Sequence, residues 1–174
     1  MLTRYFKLLS RILLCTVVVL GTVIGIGYSL NQKHTATRET KFAAAPAAVW
    51  STITDFSNAA SFRPDLSCVE VLPARNGMPV WREVDRKSES ITFAVVESRP
   101  PSRLVVKIAQ PDLPFGGTWV YELAPAGAGT SLKITENAEI YHPISRLVSH
   151  LFLNQAATIE EYLRSLERKH GRGA

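Results

Sequence analysis

The chain has 174 residues, 46% hydrophobic and 20% charged, a balance that excludes a disordered chain and fits one domain with an appendage. Twenty Lys and Arg against fifteen Asp and Glu give a formal charge of +5, but Arg4, Lys7, Arg11 and Lys33 precede Thr35 with no acid among them, leaving the rest close to neutral. A near-neutral domain without a basic stripe interleaved with aromatics argues against a nucleic-acid partner.

The first element is apolar. Ile12 to Leu30 contains no Lys, Arg, Asp, Glu or His, and its 19 residues reach roughly 28 Å as a helix, close to the hydrocarbon thickness of a bilayer. A secretory signal would have a shorter apolar region and a small-x-small site after it. Tyr28-Ser29-Leu30-Asn31-Gln32-Lys33 is not such a site, so a single-pass anchor is preferred, with secretion after signal cleavage as the alternative. Arg11 directly against the apolar run, with Arg4 and Lys7, predicts a cytoplasmic N-terminus and an extracytoplasmic domain. Gly21 and Gly25 form a Gly-x-x-x-Gly step that would admit a second copy in a weak homodimer, although such steps also arise from ordinary membrane-helix composition. The chain thus divides into a basic stub (1–11), a transmembrane helix (12–30), a tether (31–34), a domain (35–170) and a tail (171–174).

Within the domain, Thr35 to Lys41 alternates as a strand. Pro46 opens a short helix carrying Val49, Trp50, Ile53 and Phe56 at helical spacing, and Ala59 to Phe62 adds a turn. Six strands are expected next: Leu66–Leu72, ended by Pro73; Val80–Arg86, after the Asn76-Gly77 turn; Ser90–Ser98; Arg103–Ala109; Thr118–Leu123; and Thr130–Ile140. Pro111 to Gly117 reads as a loop. From Pro143 the period changes, and Ile144, Leu147, Val148, Leu151, Phe152, Ile159, Tyr162, Leu163 and Leu166 predict one long amphipathic helix, with Glu160 and Arg164 paired on its outer face and Gly171 as its stop. The fold class is α+β, an antiparallel sheet of about seven strands around a long C-terminal helix, plus the membrane helix. Cys68 is the domain's single cysteine, so no internal disulfide forms there; it reads as a small apolar strand residue.

Four stretches carry a resemblance: Phe42-x-Ala44-x-Pro46-x-x-Val49-Trp50-x-x-Ile53-x-Asp55-Phe56, Phe62-Arg63-Pro64, Gly117-Thr118-Trp119-x-Tyr121-x-Leu123 and Thr130-x-Leu132-x-Ile134-x-Glu136. In this order, over about residues 35–170, the chain resembles the START-like (SRPBCC, Bet v 1-like) superfamily and its polyketide cyclase/dehydrase branch. The resemblance implies a helix-grip fold, in which the sheet bends around the long helix and leaves a cavity for an apolar ligand. That superfamily includes lipid carriers, hormone receptors and cyclases, so fold alone does not choose among activities.

Alternation nominates the residues facing such a cavity. Leu132, Ile134, Ala138 and Ile140 share a face with Glu136, and Val80 and Val84 share one with Arg82, which suggests an interior Arg82–Glu136 pair that orients a ligand's polar head. The bland alternative is a rim ion pair. Trp81, Phe93, Phe115, Trp119, Tyr121 and Tyr141 are candidates for wall or mouth, each also explicable as core packing. Phe115, in a Gly/Pro loop, is the preferred gate, and Phe62 lies on the opposite lip. His142 and His150 are eight residues apart, a spacing that does not converge on a metal, and no phosphate loop or nucleophile elbow is present, so neither metal nor cofactor is expected. The expected function is membrane-anchored binding of a lipid or other apolar small molecule. A cyclase/dehydrase-like enzyme using Glu136, Arg82 or a tyrosine for proton transfer is the alternative, and an interaction module without ligand is a third.

Overall fold

Residue alternation along the strands sorts the sheet into two faces. In a computed structural model describing residues 2–152 and 156–173, α1 (Leu2–Ser29) is followed by β1 (Lys33–Phe42), α2 (Pro46–Thr54) and a 3-10 helix (Phe56–Ser61). Then come β2 (Leu66–Arg75), β3 (Met78–Asp85), β4 (Ser90–Arg99), β5 (Arg103–Ile108), β6 (Phe115–Ala126), β7 (Gly129–Ile140), α3 (Pro143–Phe152) and α4 (Ala157–His170). The seven strands form one antiparallel sheet in the order β1-β7-β6-β5-β4-β3-β2. The side chains of Arg4, Lys7, Leu151 and Phe152, to which the sequence assigns roles above, lie outside the described residues.

The inner face is apolar and curved around α4. Trp81, Val95, Leu104, Val106, Tyr121, Leu123, Leu132 and Ile134 from the sheet meet Ile159, Tyr162, Leu163 and Leu166 from α4 in one buried cluster with Phe42, Val49 and Ile53. Local chemistry positions the ends. Pro46 begins α2 after an extended Ala45, Asn76 and Gly77 both take positive φ in the β2–β3 turn, and Gly171 at φ 72° ends α4. The Thr130 hydroxyl donates to the Ala44 carbonyl at 2.7 Å, fixing the α2 entry against β7.

Three expectations are corrected. β2 does not stop at Pro73 but continues to Arg75, because β2 is an edge strand and its pairing with β3 shifts register between Leu72 and Arg75, where a residue lacking an N–H is tolerated. β6 begins at Phe115, which pairs with Ile140, so the Pro111–Gly117 loop is shorter than expected. The C-terminal helix is two helices. α4 lies on the sheet, whereas α3 packs on α1, where Gly27 is buried and an added Cβ would collide with the Pro143 carbonyl.

α1 extends from Leu2, and its Arg11–Ser29 part is long and apolar enough to cross a membrane, a property shared with signal sequences. A Cβ added at Gly21 or Gly25 would meet nothing within 4 Å, so that step is open. Lys33 and His34 are already in β1, so the connection is shorter than the 31–34 tether read from sequence. Cys68 lies in β2 but is exposed rather than part of the core.

Leu132 is completely buried in the centre of this cluster. Replacing it with Ala is expected to cost about 2–5 kcal/mol of stability, read as a lower urea midpoint, because the surrounding sheet cannot close the cavity.

Candidate functional site

Between the inner face and the start of α4 lies a cavity of about 590 Å³, lined among others by Leu66, Trp81, Ile91, Phe93, Val106, Leu113, Phe115, Trp119, Tyr121 and Thr158. Its walls are apolar except at one end, where Arg63, Asp65, Glu83, Asp85 and Glu89 gather. Among these lining residues four carboxylates face one guanidinium, which pairs with two of them. A second hollow, of about 770 Å³, adjoins it and shares Leu113 and Phe115. Phe115 therefore stands between the two.

A buried ion pair organises the polar end. The Arg63 Nη1 donates to Glu83 Oε2 at 2.7 Å, its Nη2 to Asp65 Oδ2 at 2.7 Å, and the Trp81 indole donates to Glu83 Oε1 at 3.1 Å. Both Arg63 and Glu83 side chains are only 14% exposed. Burial by itself would lower the Arg63 pKa, but Glu83 and Asp65 outweigh it and hold the guanidinium above its ordinary value. The guanidinium lies 5.5 Å from the centre of the Tyr162 ring. Trp81 stacks on Phe56 at 3.8 Å and on Phe93 at 5.7 Å, so the strand bearing Glu83 is fixed by aromatic packing.

Tyr121 and Tyr162 share a side-chain hydrogen bond, and burial raises both phenols, with each other's proximity and Glu83 adding to the rise at Tyr121. Both stay neutral across the ordinary pH range, with the Tyr121 hydroxyl donating to that of Tyr162. Glu136 is on the inner face opposite Trp119, and one of its carboxylate oxygens is buried without a hydrogen-bond partner. Burial raises its pKa, while a hydrogen bond from the Trp119 side chain acts in the opposite direction.

These features coincide with a family. Residues 33–171 match the model of the family described as polyketide cyclase / dehydrase and lipid transport. The chain belongs to that family. Solved structures with the same fold include a START superfamily protein from Mycobacterium smegmatis, 19% identical, covering 79% of this chain and 97% of that one with TM-score 0.62. Norcoclaurine synthase from Thalictrum flavum is 11% identical, covering 83% and 89%, with TM-score 0.63. The di-domain ARO/CYC StfQ of the steffimycin biosynthetic pathway is 14% identical with TM-score 0.64; the match covers 79% of this chain and half of that one. At such identities the likeness is one of fold. No curated protein matches in sequence. Membership of the polyketide cyclase/dehydrase and lipid transport family gives the chain a fold built for hydrophobic ligands.

Within this family fold the sequence-nominated residues separate. Trp81, Phe93, Phe115, Trp119 and Tyr121 are on the cavity wall. Tyr141 lines the adjoining hollow, and Phe62 packs edge-on against Tyr162 at 6.3 Å beside a void of about 30 Å³. The expected Arg82–Glu136 pair does not form: Arg82 bonds Glu70 at 3.1 Å, with both side chains about half exposed on the outer face. The cause is strand parity, since Trp81 and Glu83 point inward and Arg82 therefore points outward. Sequence reasoning does not nominate Glu83 or Tyr162 for the site, and it reaches Arg63 only within Phe62-Arg63-Pro64. The available signal is Trp81-x-Glu83-x-Asp85, a period-two run led by the bulkiest side chain of the strand.

Glu83→Ala removes one of the two carboxylates paired with Arg63 and the acceptor of the Trp81 indole, leaving Asp65 as the partner of the guanidinium, and is expected to cost about 1–3 kcal/mol, whereas Arg63→Met combined with Glu83→Leu recovers most of the loss; urea denaturation of both variants checks this. The raised Glu136 pKa has a definite sign. Its favourable contribution is complete below the ordinary carboxyl value of 4.5 and is lost as pH rises through the folded value. Glu136→Gln should therefore flatten the fall in melting temperature with rising pH above 4.5, measured by calorimetry across a pH series.

Proposed function

We propose that the domain binds a mostly apolar small molecule in the 590 Å³ cavity, held beside a membrane by α1 with its N-terminus cytoplasmic. The observation carrying this reading is the cavity itself: its volume falls within the roughly 300–1,000 Å³ of small-molecule sites, and aromatic walls lead to one polar end. The excess of carboxylates at that end favours a ligand whose polar group is a neutral hydrogen-bond donor or a cation over a free fatty acid. A membrane lipid bearing hydroxyl or amine groups has this character. The exposed apolar span of α1 and the basic residues before it support the anchored orientation.

Enzymatic turnover resembling that of a cyclase or dehydrase is the second reading. It is favoured by the raised carboxyl of Glu136, opposite the cavity-wall residue Trp119, which would hold and return a proton.

Two of the three tryptophans, Trp81 and Trp119, line the cavity, so occupancy is readable in intrinsic fluorescence. Nile red is expected to bind detergent-solubilised full-length protein and quench this emission, and Val106→Phe, which fills part of the wall, is expected to weaken binding about tenfold. Failure of the wild type to bind the probe, together with no ligand released from natively extracted protein in mass spectrometry, would remove the binding reading.

A further inference from the structure

The division of the C-terminal helix leaves α3 away from the core and against the membrane segment. It lies along the last turns of α1, where Val23 and Ile24 are half-buried and Gly27 is buried. These residues belong to the apolar Arg11–Ser29 span. A helix packed beside the end of a membrane span is at the depth of the bilayer surface. Hydrogen bonds tie it to the domain. Arg146 donates from Nε to the Ile140 carbonyl at 2.8 Å, and from Nη2 to the Tyr141 carbonyl at 3.0 Å and to Gln32 Oε1 at 3.2 Å. The Ile140 N–H in turn donates to the Gln32 carbonyl at 2.9 Å. α1, the short connection, the end of β7 and α3 are thus held in one unit.

The side of α3 turned from α1 is apolar and bare. Ile144 and Val148, one turn apart, are 40% and 47% exposed, and Tyr141 before them is 47% exposed. Tyr28, at the end of α1, is exposed as well. Exposed tyrosines beside exposed aliphatics at the end of a span have the composition of a membrane–water interface. The same segment borders the ligand route: the Tyr141 N–H donates to the Pro114 carbonyl at 2.9 Å, an added Cβ at Gly116 would collide with the Tyr141 hydroxyl, and Tyr141 lines the hollow that adjoins the cavity at Phe115.

We infer that α3 is an interfacial helix whose Ile144–Val148 face inserts into the lipid surface and turns the Phe115 mouth towards the bilayer, so that ligand enters from the membrane rather than from water. The inference rests on the anchored, ligand-binding reading above, and the occupant of the α3 face is lipid. The distant β6–β7 turn is a built-in control, since β7 separates it from α3 by roughly 35 Å.

Full-length protein with Cys15 and Cys68 replaced by Ser carries a bimane label at Val148→Cys or at Ala128→Cys, in phosphatidylcholine vesicles containing doxyl-labelled lipid. Quenching at 148 is expected to exceed that at 128 by roughly threefold or more. Equal quenching overturns the inference, as does self-quenching at 148 that depends on protein density, which would assign the face to a second copy. In the second arm, Ile144→Asp with Val148→Asp is expected to slow transfer of a fluorescent phospholipid from vesicles about tenfold while Nile red affinity in detergent is unchanged. An unchanged transfer rate overturns the route. Loss of Nile red binding in the wild type would instead strike the cavity reading and leave the label quenching intact. Should the double variant fail to fold, the labelled single variants decide.

Discussion

The pairing of Arg63 with Glu83 is the constraint on which the site depends. It joins the segment after the 3-10 helix to the middle of β3, on the inner face where charge is expensive. Because Glu83 also accepts from Trp81, the pair sets the orientation of the indole, and through the stack on Phe56 it sets the approach of the short helices to the sheet. Arg63 beside Tyr162 then connects the same cluster to α4. One buried charge pair thereby touches every layer surrounding the cavity. Its polarity leaves an aromatic wall on one side and a hydrogen-bonding end on the other.

Two partly buried carboxyls of the inner face differ in kind: Glu83 lines the cavity, and Glu136 lies opposite the wall residue Trp119. Glu83 is fully engaged by a cation and an indole, so its chemistry is structural. Glu136 has a buried oxygen with no partner and a pKa raised by that burial, which is the condition in which a carboxyl exchanges a proton or meets a ligand. The family's description names both cyclase/dehydrase and lipid-transport members.

Much of the fold was legible because its determinants are local. Period-two alternation located the strands, Asn76-Gly77 the tight turn, and Gly171 the helix stop. What escaped depends on neighbours in space. Pro73 ends a strand unless that strand is at an edge, and edge position is a property of strand order. Alternation misassigns the face of β3 because Val80 and Trp81, adjacent and of opposite parity, are both buried, so burial alone does not say which points to the cavity. Breakage of the last helix was hidden for a related reason. The apolar period runs on through both parts, yet its first half answers to α1 and its second to the sheet, and no sequence period records a change of partner.

Strand order has a consequence for a protein confined to two dimensions, as the anchored reading has it. Anchored molecules meet far more often than free ones at equal copy number, and a sheet with open edges would invite edge-to-edge growth. At one edge β2 carries Pro73, two register shifts and exposed charge at Glu70 and Arg75. At the other, the end of β1 is bonded by the C-terminal segment, with the Gly173 N–H donating to the Lys41 carbonyl and Arg172 bridging Phe42. β2 is irregular along its length and the C-terminal segment covers the Lys41–Phe42 end of β1, so the ladder open to edge-to-edge pairing between anchored copies is shortened at both edges.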